Sequence, residues 1–170
     1  MKLLIMSDSH GWTDEVVQVV DRHKHEVDEF IHCGDSELQV DFKELSGVKT
    51  VKGNCDFGAD FPEEIKETYG SLTLYVTHGH HYNVKMTYVP LSYRAEEVGA
   101  NLVCFGHSHV ADCFMEQGVL FINPGSMRLP RKPKEQTYVI CDITDTEVEV
   151  SFYERVSGNK LTDLSRTYSR

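Results

Sequence analysis

The chain of 170 residues carries 17 Lys and Arg against 27 Asp and Glu, a formal net charge of -10. Such a surface repels phosphate backbones and anionic bilayers alike, which disfavours a nucleic-acid binder and a membrane-surface protein. No stretch approaches the ~18 apolar residues of a membrane span, and the apolar run at the N-terminus ends in charge after residue 6, short of the roughly 7 to 15 residues of a signal segment, so a cytoplasmic protein is expected.

Residues 2–6 (KLLIM) are a short apolar run that reads as a buried strand, followed by a polar loop from Ser7 to Gly11. Val16, Val17 and Val20 then share one face of a helix over 13–24. A second strand over 28–33 ends at Gly34-Asp35, a short helix is expected over 36–45, and a third strand over 48–52 ends at Gly53-Asn54. This strand and helix alternation predicts a parallel α/β layer. The character then changes. Segments 62–68 and 71–77 read as a hairpin ending at His78, and 87–98 as a helix with Pro90 in its first turn. Segment 102–105 reads as a strand ending at Gly106-His107. Runs 111–116 and 119–122, and then 136–143 and 147–154, form two further hairpins. The residues from Ser157 on are polar and basic and predict a loosely ordered tail. One domain over 1–155 with a tail over 156–170 is the simplest division. The five cysteines, Cys33, Cys55, Cys104, Cys113 and Cys141, are odd in number and form no CxxC, as reduced residues would be.

The chemistry-bearing residues fall in equivalent places. Asp8 and His10 follow the first strand, Asp35 the second and Asn54 the third. His78 follows the hairpin strand, and His107 and His109 the next one. A glycine accompanies each set. Ligands of α/β sheets gather at the carboxyl ends of strands, where glycine lets the backbone turn tightly. Two aspartates, one asparagine and four histidines exceed the three or four ligands of a single zinc site. They suit two ions sharing a bridging carboxylate, and Asp35, which stands alone, is the natural bridge.

In order, Asp8-Ser9-His10, Gly34-Asp35, Gly53-Asn54-Cys55-Asp56, His78-Gly79-His80 and Gly106-His107-Ser108-His109 resemble the motifs of calcineurin-like metallophosphoesterases. Asn123-Pro124-Gly125-Ser126 is similar to a loop of the small bacterial YfcE-type phosphodiesterase branch. The resemblance covers roughly residues 1 to 155. It implies an α/β protein with a four-layer α/β/β/α sandwich, two packed mixed β-sheets flanked by helices in a single domain. It also implies two divalent metal ions. Carried over residue by residue, Asp8, His10 and His109 would hold the first ion, Asn54, His78 and His107 the second, and Asp35 both. The donors suit Mn, Fe, Co, Ni or Zn, with manganese as the expected occupant.

Two such ions would lower the pKa of a bridging water and orient the phosphate, so in-line attack of metal-bridging hydroxide on phosphorus is expected. Asp35, Asn54 and His78 are the expected catalytic residues. Where the broad family has histidine after Gly53-Asn54, this chain has Cys55, a weaker proton donor, so good leaving groups should be favoured. His80 and Arg128 are, with Cys55, candidate substrate contacts. His32 either supports a ligand or packs. The expected substrate is a small phosphodiester. A phosphomonoesterase or nucleotidase and a non-catalytic metal-binding scaffold are the alternatives, and a homo-oligomer is compatible with the sequence.

Overall fold

The computed structural model describes residues Met1–Arg170. Its strands are β1 (Lys2–Met6), β2 (Glu29–His32), β3 (Val48–Thr50), β4 (Glu64–Tyr69), β5 (Leu72–Thr77), β6 (Leu102–Cys104), β7 (Ala111–Glu116), β8 (Val119–Pro124), β9 (Thr137–Ile143), β10 (Glu147–Glu154) and β11 (Arg166–Ser169). The helices are α1 (Asp14–His23) and α2 (Val89–Val98). Asp14 and Glu15 in its first turn and Arg22 and His23 in its last suit the dipole of α1. Helix α2 carries Pro90 in its first turn and stops at Gly99, whose left-handed backbone (φ 67°) lets its N–H close on the last carbonyls.

Two mixed sheets result, in strand order β11-β10-β9-β1-β2-β3 and β4-β5-β6-β8-β7. The period of two in each strand sorts side chains between layers. In β1, Leu3 and Ile5 point between the sheets, where they meet Leu74, Val76, Leu102, Cys104 and Ile122 in a cluster of 20 buried residues. Leu4 and Met6 point the other way, to Val16 and Val19 of α1. In the second sheet Tyr75, Val103 and Phe121 face outward onto Leu91 and Ala95 of α2. Burying both faces of each sheet leaves four layers, α/β/β/α, in one domain, as the motifs imply.

Two local expectations are corrected. The helix over 36–45 is only a 3-10 turn at Lys43–Leu45. Its first residues are drawn away because the backbone N–H groups of Asp35 and Glu37 are held by the Asp56 carboxylate, and both residues take left-handed backbone (φ 53° and 55°). The residues after Ser157 are ordered, not loose. Arg166–Ser169 pairs antiparallel with β10, and Leu161, Leu164 and Tyr168 pack against the inter-sheet core. Closing the open edge of β10 supplies the ladder partners that the tail's own polar composition does not advertise. No helix is long and apolar enough to cross a membrane.

Candidate metal centre

Each chemistry-bearing residue lies in the turn that follows a strand, and the turns interlock. The ladder between β1 and β2 runs on into their loops, with Asp8 N donating to Gly34 O at 3.1 Å and His10 N to Asp35 O at 3.0 Å. Gly106 N donates to His78 O at 3.0 Å in the other sheet. His107 N joins the two sheets by donating to Asp8 Oδ2 at 3.2 Å. Asp8, His10, Asp35, His107 and His109 all take left-handed backbone, with φ between 44° and 66°. Each such non-glycine residue costs on the order of 1 kcal/mol or more, and strain of that kind persists where the surroundings impose it, most often at functional sites.

Glycine acts here mainly through its missing side chain. A Cβ on Gly53 would fall 2.1 Å from Asp35 Oδ1, and one on Gly106 would fall 2.0 Å from Ser7 Oγ and 2.8 Å from Asp8 Oδ2. Neither glycine has a positive φ. The expectation that glycine serves tight turning is therefore replaced, at these two corners, by close approach of one loop to the next carboxylate.

The side chains gather in two groups, Asp8 with His10 and His109, and Asp35 with His78 and His107. Within each group the donor atoms lie within 4.8 Å of one another. Asp35 also lies in a group with His10 and Cys55, so it connects the two sets. Three imidazoles are anchored through Nδ1: His10 to Glu37 Oε1, His78 to Cys33 O and His109 to Leu129 O, each at 2.7 Å. Each acceptor keeps the proton on Nδ1 by accepting its hydrogen bond and so turns the Nε2 lone pair inward, as partners of metal-binding histidines do.

The inward atoms face one another across short gaps. His109 Nε2 is 3.0 Å from Asp8 Oδ1, His78 Nε2 is 3.3 Å from Asp35 Oδ2, and His10 Nε2 is 3.4 Å from His109 Nε2. Asp8 Oδ1, His78 Nε2 and His107 Nδ1 are buried and have no hydrogen-bond partner. Lone pairs pressed together away from water are unfavourable unless a cation lies between them. The donor set of imidazole and carboxylate fits divalent transition metals.

The electrostatics agree. Burial works against both carboxylates. It is overcome at Asp8 by the adjacent imidazoles of His109 and His78, and at Asp35 by His78 and the Cys55 N–H, so both stay below the usual carboxylate range. Burial, His78 and Lys85 push His107 down to about 4. Burial beside Asp35 pushes the Cys55 thiol up to about 12.

The other candidates spread out. Asn54 is exposed at the rim, its amide 3.2 Å from Cys55 Sγ. His80 lies with its ring centroid 5.4 Å from that of His78 and 6.0 Å from that of His107. Arg128 is exposed; its guanidinium donates to the His10 carbonyl and lies over the Trp12 ring, so it braces the loop after β1. His32 supports the site, as its Nδ1 accepts from Gly34 N (3.2 Å) and its Nε2 is 3.0 Å from Ser9 Oγ.

Three supporting residues had no role assigned from sequence. Asp56 Oδ2 accepts from Asp35 N (2.9 Å) and Gly53 N (2.7 Å), and its Oδ1 from Glu37 N (2.6 Å). Ser126 Oγ donates to Asp8 O at 2.8 Å, and Asn123 Nδ2 to Gly106 O at 3.0 Å. Their signal was adjacency: each lies inside a motif already singled out.

A double β-sheet sandwich with paired histidine and aspartate groups at its strand ends is the framework of a metal-dependent hydrolase. The chain belongs to the calcineurin-like phosphoesterase superfamily, whose domain matches residues 1–146. It is 47% identical over 164 residues to the probable metallophosphoesterase YsnB of Bacillus subtilis, covering 96% of each chain. A predicted phosphoesterase from Streptococcus pneumoniae, of known crystal structure, superposes with a TM-score of 0.94 at 38% identity, covering 99% of this chain and 97% of that one. The E. coli phosphoesterase Yfce shares the fold at a TM-score of 0.69 and 18% identity, over 95% of this chain and 97% of that one. The family implies divalent metal ions, for which the two groups are the candidate ligands.

Proposed function

We propose that the protein is a two-metal phosphodiesterase acting on a small substrate. One observation carries the reading: two donor groups lie side by side, linked by Asp35, which belongs to one and also groups with His10 of the other, and their buried Asp8 Oδ1, His78 Nε2 and His107 Nδ1 have no hydrogen-bond partner. Asp8, His10 and His109 would hold one ion, His78, His107 and Asn54 the other, and Asp35 would touch both. When bound, such a pair supplies Lewis-acid polarisation of the phosphate and an activated water.

The chain's own residues do the positioning. Cys55 N holds Asp35 Oδ1 at 2.7 Å, and the Cys33 carbonyl holds His78, so carboxylate and imidazole are set before substrate arrives. Asn54, at the exposed rim, would offer its amide to a phosphate oxygen. Cys55 stands where an imidazole would be a better acid, so diesters with good leaving groups should react fastest.

The test is an activity matrix of metal ions against paired aryl phosphodiesters and aryl phosphomonoesters. The chelated protein should be inert, and Mn2+ should restore diester hydrolysis. Faster monoester hydrolysis would turn the reading to a phosphomonoesterase. Failure of every metal to bind or activate would turn it to a non-catalytic scaffold.

A further inference from the structure

A further set of donors lies beside the main centre. Glu63, just before β4, and His80 and His81, on the 3-10 turn His80–Tyr82, each bring a donor atom within 4.8 Å of the others. None of the three belongs to the seven residues assigned to the main centre. The turn is held open at both ends by left-handed backbone, at Gly79 (φ 98°) and Asn83 (φ 53°), so the two adjacent imidazoles are presented on a short rigid support. Their ring centroids are 3.8 Å apart with planes at 39°. His81 Nε2 is 3.4 Å from Glu63 Oε2.

Two features separate this from a surface ion pair. His80 Nδ1 is closed off from water and has no hydrogen-bond partner. A protonated His81 would satisfy Glu63 and leave that atom orphaned, which is unfavourable. A cation accepted by both rings and the carboxylate satisfies all three. The second feature is the composition, two imidazoles and one carboxylate. That set matches open zinc-type sites and is poor for the all-oxygen shells of Mg2+ or Ca2+. Glu63 and His81 are exposed, with side chains 54% and 62% accessible, so an ion could enter and water could complete the shell.

We propose that Glu63, His80 and His81 form an accessory site for a zinc-type divalent cation, weaker than the main centre and contiguous with it through the rings of His78 and His107. The site stands whether or not the main centre holds two ions, because it is read as a difference.

The experiment counts Co2+ bound per chain by equilibrium dialysis, with visible absorption of the cobalt, in the wild type and in Glu63→Gln and His81→Asn. The wild type should bind one more ion than either variant, as its weakest equivalent, while the tightly held equivalents are unchanged in number and affinity. A main centre that holds one ion would lower all the counts together and leave the difference of one intact. Equal counts and affinities in all three proteins would overturn the accessory site. Loss of a tight equivalent in both variants would also overturn it, by placing Glu63 and His81 in the main centre.

Discussion

The carboxylate of Asp56 holds the backbone N–H of Asp35 at 2.9 Å and also binds the N–H groups of Gly53 and Glu37. One buried side chain thus ties the loop after β2 to the loop after β3, and Asp35 lies at the knot. Asp56→Asn would present an amide N–H to backbone donors. Metal affinity should fall by about 10- to 100-fold, measured by isothermal titration calorimetry. Wild-type affinity in that variant would show that the knot does not position Asp35.

Gly106 lets the loop after β6 press against Ser7 and Asp8. Gly106→Ala places a carbon 2.0 Å from Ser7 Oγ and 2.8 Å from Asp8 Oδ2, both on buried side chains. The loss of stability should be about 3 kcal/mol or more, read from urea denaturation. A loss under about 1 kcal/mol would mean that the two loops can separate without disturbing the fold.

The two histidines after β6 belong to different donor groups, His107 with Asp35 and His78, His109 with Asp8 and His10. His107→Ala and His109→Ala should therefore each release one ion and keep the other. Asp35→Ala should weaken both and abolish turnover. Metal counting on the three purified variants checks this, and near-normal turnover of Asp35→Ala would refute the shared carboxylate.

His32 gives a pH dependence of stability. Burial holds it down to about 4, against the attraction of Asp56 and Asp8. Below its unfolded pKa of about 6.5 the unfolded chain takes up a proton that the folded chain refuses. Stability should thus be full above pH 6.5 and fall as pH drops from there toward 4, by on the order of 2 to 3 kcal/mol for this residue. Denaturant titrations across that range should show a shallower fall for His32→Gln. Parallel curves for the two proteins would assign the loss to other groups.

The sequence by itself located the donors. A metal-type residue within three positions of a glycine, soon after an apolar run, is a local signal, and Asp8, His10, Asp35, His78, His107 and His109 all carry it and all meet in the structure. The short apolar run over residues 2–6 likewise foretold a buried strand. What only the tertiary structure decided rests on pairings across long stretches of chain. β1 lies between β2 and β9, and β11 closes the edge of β10, so both ends of the chain build one sheet. No local pattern encodes which strands become neighbours, because the backbone hydrogen bonds that join them are the same for any partner. The same holds for Arg128, which meets the His10 carbonyl, for Asp56, whose role exists only once two loops touch, and for Glu63, brought to His80 and His81 from the other arm of a hairpin.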